Sequence, residues 1–379
     1  MNRPDDPGRR RILAALALAP LAAWCAPRLP HERPFVLTLT GQALIAHDLY
    51  ADPYPGLAEV AAEIQRGDVA ITDLETVIQG AGSGQPTRSG QFFHAAGTAE
   101  LGCLRKLGLD VLTLANNHAG DLGPAGVLAT RQAVRAAGFV VAGTGANLAE
   151  ATQATPFAAG GRALAVVAMA SGKIAAGAAA SATAPGVNEL RLDATGVVDD
   201  ADLQRILDSI RTAAGASRQV IACLHNHQWG QDMRLTRPWV QAFARSCVDA
   251  GASVFFAHGA PLLQGIEVYR GAPIFYCLGS LIFHTRTALG YYPAEVWQSA
   301  LVHLRFAGDR LRGIELVPVQ LNERGDDPTR HLETRGRPRI ASGDQARQIL
   351  QRLQSSSAAF GTHVAIAHGR GQVRLDSSG

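Results

Sequence analysis

The sequence predicts an α/β fold: a largely parallel sheet with helices on its faces in the first half of the chain, and an antiparallel or mixed second sheet later. Two observations carry this expectation. Short apolar runs alternate with helical patterns from residue 35 to residue 142, the rhythm of βαβ units. Beyond residue 266 the apolar runs follow one another without long helices between them. A third observation concerns chemistry: three of the expected strands end in polar segments that carry histidine.

Residues 35–40 are apolar and β-branched and read as the first strand. Helical spacing over 57–65 leads to a strand at 69–72, a helix at 98–107, a strand at 111–114, a helix at 124–137 and a strand at 139–142. Residues 171–185, low in complexity from 175 to 184, read as a surface loop. An amphipathic segment at 199–214 precedes a strand at 219–224 and a helix at 236–250. In that helix Pro238 suits the first turn, and Trp239, Phe243 and Cys247 form a core stripe that ends at Gly251. Strands are expected at 254–256, 266–269, 274–278, 300–306 and 311–321, with Glu267 facing solvent. The polar stretch 324–341 reads as an irregular crossing, and 344–353 as a last helix.

With 47% apolar and 18% charged residues, the 379-residue chain is globular and long enough for a sizeable core. Its net charge of +3 falls to about +1 without the four arginines and two aspartates that precede residue 27, which argues against nucleic acid as a partner. The cysteines at 25, 103, 223, 247 and 277 include no C-x-x-C pair, so no zinc ribbon or dithiol motif is formed. Cys103, Cys247 and Cys277 sit in apolar periodic segments as small hydrophobes. Arg9, Arg10 and Arg11, followed by an apolar stretch to Trp24, have the layout of a twin-arginine export signal over residues 1–26. Export machinery is therefore an expected partner, and the mature chain is expected to be periplasmic or extracellular. Membrane contact is confined to that signal or to a lipid on Cys25.

The apolar run at 110–114 stops abruptly at Ala115-Asn116-Asn117-His118, which places two amides and an imidazole beyond a strand's carboxyl end, where open α/β sheets bind ligands. His225 and His227 follow a second strand and alternate with Asn226, so they share a face if the extended geometry persists; otherwise one of them is a satisfied core histidine. His258 follows a third strand, beside Gly259, which is expected to let a ligand approach closely. Asp73-Leu74-Glu75 follows a further short strand. Together Asp73, Glu75, Asn117, His225, His227 and His258 make a metal-style ligand set of the mix used by two-metal phosphoesterases, suited to Mn, Fe or Zn. Asp121 is expected to cap the following helix, with orientation of His118 as the alternative.

These segments resemble the CapA (poly-γ-glutamate capsule synthesis, PGA_cap) family, a branch of the calcineurin-like metallophosphoesterase superfamily. The resemblance runs through Leu74-Glu75, Leu114-Ala-Asn-Asn-His-Ala-Gly-Asp-Leu-Gly123, Gly143-Thr-Gly-Ala-Asn, His225-Asn-His227, Asp249-Ala-Gly and His258-Gly. It continues through Gln264-Gly-Ile-Glu-Val-Tyr-Arg-Gly and Ile274-Phe-Tyr-Cys-Leu-Gly279. It covers residues 35–285, with 286–379 completing the same domain, and implies a four-layer α/β/β/α sandwich with two mixed sheets. It also implies that Asn117 is a metal ligand, that His118 is the proton donor, and that His225, His227 and His258, with Glu75 or Asp73, complete the metal shell.

The implied role is capsule, poly-γ-glutamate or other envelope-polymer metabolism through metal-dependent hydrolysis of phosphoester or amide bonds. A non-catalytic binding or assembly component on a degraded site is the alternative. Several departures bear on that choice. Gly41-Gln42 stands where the family usually has Gly-Asp, Pro261 where a second histidine is common, Gln228 where glutamate is frequent, and Ser280 where asparagine is usual. A site short of these ligands is expected to hold one ion rather than two, to bind it loosely or to hold none. His47-Asp48 is the candidate for a compensating ligand pair.

Overall fold

The computed structural model describes residues 33–80 and 82–375, so the expected export signal and Cys25 lie outside the described residues. One sheet runs in the order Val364–Ala367, Arg370–Val373, Arg310–Leu321, Gln298–Ala307, Phe35–Leu39, Val69–Asp73, Val111–Thr113 and Val140–Ala142, with Pro338–Ile340 added on Arg310–Leu321. Its last four strands are parallel, and the others join them antiparallel. The other sheet runs Ile266–Tyr269, Ala272–Phe275, Val254–His258, Gln219–Asn226, Arg162–Ser171 and Thr155–Ala159, parallel except at its two edges.

Central strands such as Val69–Asp73, Val111–Thr113 and Gln219–Asn226 are buried at every residue, whereas the edge strands Thr155–Ala159 and Val364–Ala367 keep exposed positions. Leu37, Ile71 and Val111 of the first sheet meet Val166, Ile221 and Phe256 of the second in one core between the sheets. The intervening residues point outward. Ala70 and Leu112 pack under helices Leu57–Ile64 and Thr98–Leu107, while Val167, Ala222 and Phe255 pack under Asp200–Ala214 and Pro238–Asp249. The result is a four-layer α/β/β/α sandwich. Helix Gly343–Ala358 adds Ile349, Leu350 and Leu353 to the core between the sheets. Phe243 and Cys247 are buried as the stripe requires, with Trp239 partly buried beside them. No described helix is long and apolar enough to cross a membrane, and the four described cysteines are buried free thiols.

Two expectations need correction, and two further elements were not anticipated. The long hairpin at 298–321 does not build the second sheet; it pairs with Phe35–Leu39, which would otherwise leave an open edge on the first. The strand Arg162–Ser171, unanticipated in the alanine-rich sequence, lies inside the second sheet because small residues fit between two covered faces there. The closing hairpin Val364–Ala367 and Arg370–Val373 was likewise not anticipated. Glu267 is buried, held by Arg245 at 2.8 Å and by the Tyr276 hydroxyl, since its strand edge lies beneath helix Pro238–Asp249.

Candidate metal centre

Strand periodicity positions the site. Along three strands the residue two beyond an inward apolar side chain is polar: Ile71 precedes Asp73, Cys223 precedes His225, and Phe256 precedes His258. All three therefore point between the sheets at the carboxyl ends of parallel strands. Asp73 is fully buried and His225 is 1% exposed. An apolar side chain at such a position would contribute roughly 1.5–3 kcal/mol. Placing ionisable groups there instead requires partners or a ligand.

Glu75 Oε1 lies 3.5 Å from His225 Nε2 and 3.8 Å from His227 Nε2. The ligand atoms of these three residues fall within 4.8 Å of one another, the one such cluster of His, Cys, Asp and Glu among the described residues. Asn117 Oδ1 adds a neutral oxygen 2.9 Å from His225 Nε2. Asp73 stands behind the cluster: Oδ2 faces His225 Nδ1 at 3.2 Å and accepts from the Asn116 amide at 3.3 Å, while Oδ1 accepts from the Thr113 hydroxyl at 2.9 Å. It orients His225 rather than facing the cavity.

The two histidines differ in charge. Burial alone would depress His225, but Asp73 and Glu75 outweigh it and raise the imidazole to about 9. Burial dominates at His227 and lowers it to about 4, with Glu75 offsetting only part. Both His227 ring nitrogens are buried without a hydrogen-bond partner. Glu75 is held well below the usual carboxylate range: its burial acts upward, but the histidines prevail. A carboxylate, two imidazoles and an amide oxygen suit Zn, Mn or Fe, and the partnerless nitrogens of His227 make the fit specific.

His118 stands beside the cluster, its Nε2 3.9 Å from Glu75 Oε1. Its Nδ1 is 2.9 Å from Asp121 Oδ2, and Asp121 Oδ1 is 2.7 Å from Arg88 Nε. Asp121 is thus the orienter of His118 and not a helix cap; the helix Gly123–Ala136 begins at Leu122 with no side-chain cap. Arg88 also donates to the Asn117 carbonyl at 2.9 Å, and the His94 ring meets the His118 ring at 4.5 Å. Neither Arg88 nor His94 was singled out from sequence. Both lie in a loop-rich stretch without periodicity, so no local signal marked them.

His258 is engaged elsewhere. Its Nε2 donates to the Thr40 carbonyl at 3.0 Å, and its Nδ1 is 3.7 Å from Cys223 Sγ. Burial lowers its pKa below the ordinary imidazole value. Gly259 has φ +102° for a reason other than ligand approach: a Cβ there would stand 2.1 Å from the Asn226 carbonyl oxygen. Its N–H donates to Gln42 Oε1 at 2.8 Å, and Gln42 Nε2 donates to Glu75 Oε2 at 2.6 Å. The glutamine therefore bridges where a carboxylate ligand is absent. Pro261 lines the cavity, and Gln228 donates its N–H to Asn226. His47 packs on His284 with centroids 5.4 Å apart, and Asp48 accepts from Tyr50 N, so this pair adds nothing to the cluster. The cavity above Glu75, His118 and His227 measures about 560 Å³ and is lined further by Trp229 and Tyr291.

A four-layer sandwich thus gathers imidazoles, a carboxylate and an asparagine amide at the strand ends of one crevice, where open α/β sheets bind ligands. Residues 36–285 match the family described as bacterial capsule synthesis protein PGA_cap, and the chain belongs to that family. It is 26% identical to the uncharacterized protein y4sH of Sinorhizobium fredii, over 90% of this chain and 93% of that one. Capsule biosynthesis protein CapA of Bacillus anthracis is 29% identical over 59% of this chain, which spans 51% of the relative's length. Among solved structures, a hypothetical protein from Thermus thermophilus aligns with TM-score 0.43 and 15% identity, covering 75% of this chain and 98% of that chain. A 5'-nucleotidase precursor from the same organism aligns with TM-score 0.40 and 11% identity, covering 75% and 54%.

Proposed function

We propose that this is an exported protein of capsule or envelope-polymer metabolism that hydrolyses phosphoester or amide bonds, in a polymer such as poly-γ-glutamate, at a single divalent metal. The observation that carries the reading is the meeting of Glu75, His225 and His227, with both nitrogens of His227 buried and partnerless. Those three residues and Asn117 would hold the ion. When bound, a divalent cation polarises the scissile group and lowers the pKa of water. Asp121 fixes the His118 ring through Nδ1, which leaves Nε2 toward the cavity to hand a proton to the leaving group. Asp73 holds His225 in register. Residues 1–26 support export to the periplasm or beyond, and cell fractionation of a chain with Arg9 and Arg10 changed to lysine tests it.

Metal analysis of the purified protein is the direct experiment. Near-stoichiometric Mn, Fe or Zn in the wild type, lost in His225→Ala, is expected; a wild type that takes up none of them ends the reading. A second reading rests on Gln42, whose amide ties Glu75 to the Gly259 backbone in place of a ligand. In this reading the scaffold binds or assembles without turnover. A wild type that hydrolyses envelope polymer at full rate dismisses it.

A further inference from the structure

From His225 onward, alternate residues of an extended segment form a ladder of rings. His225 stacks on His227 with centroids 5.1 Å apart, and His227 meets Trp229 at 4.4 Å. The ladder ends in a cation: Lys173 Nζ stands 5.1 Å over the Trp229 ring. Lys173 is one of two lysines in the whole chain and lines the same cavity as Glu75, His118 and His227.

Two features set it apart from an ordinary surface lysine. It is built into place, because Gly172 and Lys173 are consecutive left-handed residues, with φ +81° and +54°. The Gly172 turn lies so close to the neighbouring segment that a Cβ would sit 2.9 Å from the His227 carbonyl carbon. Left-handed backbone at a lysine is disfavoured and persists where the surroundings over-determine it. Its charge is also uncommitted. The other cation lining the cavity, Arg88, is paired with Asp121 at 2.7 Å, whereas Lys173 forms no ion pair among the described residues and only rests on an aromatic face. A cation–π contact at an exposed site is weak and leaves the charge available.

We propose that Lys173, presented on Trp229, is the anion-binding residue at the mouth of this cavity, and that it takes a carboxylate or phosphate group of the ligand separate from the group at the metal end. This deepens the reading given under Proposed function and rests on it. The ligand class it defines is one bearing two polar centres, one reaching Glu75 and His227, the other an anion held by the ammonium beside Trp229.

The experiment titrates inorganic phosphate and, in a separate arm, glutarate into the full-length protein by calorimetry, at low and moderate salt, with Mn2+ and after chelation. Lys173→Asn removes the charge and tolerates the left-handed backbone; Lys173→Arg restores charge. Lys173→Asn is expected to weaken binding of the preferred anion about tenfold and flatten its salt dependence, while Lys173→Arg stays within about threefold of wild type. Which probe responds identifies phosphate or carboxylate. Equal binding by Lys173→Asn and wild type overturns the proposal, as does a wild type that binds neither anion. Metal content is read on the same samples: unchanged metal with unchanged anion binding sinks the role of Lys173 alone. Absent metal sinks the reading of the centre, and the chelated arm still decides Lys173.

Discussion

Two polar clusters lie on the first sheet, and they differ in how their charges are balanced. On the outer side, Glu63 and Glu315 are bound by Arg66 at 2.8 and 2.9 Å and by Arg370 at 2.6 and 3.1 Å, with Arg305 3.3 Å from Glu315. His303 joins them, its two nitrogens facing Glu63 at 3.3 Å and Thr38 at 2.9 Å. In the crevice, Asp73 and Glu75 face imidazoles, and the nearest guanidinium, Arg88, is occupied by Asp121. The first cluster neutralises itself with fixed cations. In the second the carboxylates face His225, whose imidazole they raise to about 9, and His227, whose two nitrogens lack a hydrogen-bond partner. Carboxylates among arginines hold a fold together, whereas a buried carboxylate among imidazoles is a candidate cation site.

The strongest way to break this contrast is to remove a crevice ligand. Glu75→Gln or His225→Ala should weaken metal binding by roughly a hundredfold or more, read by competition with a chelating indicator. Arg66→Ala in the outer cluster should leave metal binding unchanged; a shared loss would erase the distinction. His258 sharpens the line within the crevice itself. His258→Ala opens a buried cavity and strands the Thr40 carbonyl, so urea unfolding should show a loss of about 2–4 kcal/mol. Metal affinity of the folded variant should stay within about threefold, because Nε2 is already committed to Thr40.

Gln42→Asp should act in the opposite direction. A second carboxylate beside Glu75 should tighten metal binding about tenfold, or raise the ion count from one to two by metal analysis. The shorter side chain gives up its bridge to Gly259, so this variant should also unfold more readily. The smallest effect belongs to the outer cluster. Burial acts to raise Glu63, but Arg370 and Arg66 outweigh it and hold the carboxyl down to about 2. A depressed carboxyl stabilises the folded state above its ordinary pKa of 4.5, and that contribution fades as pH falls toward about 2. Glu63→Gln should therefore flatten the acid limb of a stability profile by under about 1 kcal/mol, since the network is part-exposed and solvent-screened. It should leave metal content untouched.

Much of the scaffold was legible in local pattern. The βαβ rhythm through Val140–Ala142, the four outer helices and the polar strand ends follow from periodicity, because a strand covered on both faces is apolar throughout and a helix covered on one face is apolar in a stripe. The alanine-rich strand Arg162–Ser171 was not legible, since its alanines favour helix and its valines favour strand, and the facing sheet on one side with the helix layer on the other decides between them. Residues 225 and 227 have the spacing of a same-face pair if the strand geometry persists, and Asn117 and His118 stand out as an amide and an imidazole at a strand end. Whether they meet is a matter of register: His225 opposite His258, and Asp73 opposite Thr113.

The sequence by itself determined most of the candidate ligands, because imidazoles and amides at strand ends are local facts of spacing. Only the tertiary structure decided their roles. It gave His258 to Thr40, Asp121 to His118 and Gln42 to Glu75, and it brought Arg88 and Lys173 to the cavity from loops that no periodicity marks. The physical reason is that a polar group's function depends on which of its atoms remain unpaired after folding. That count is closed by partners far away in the chain.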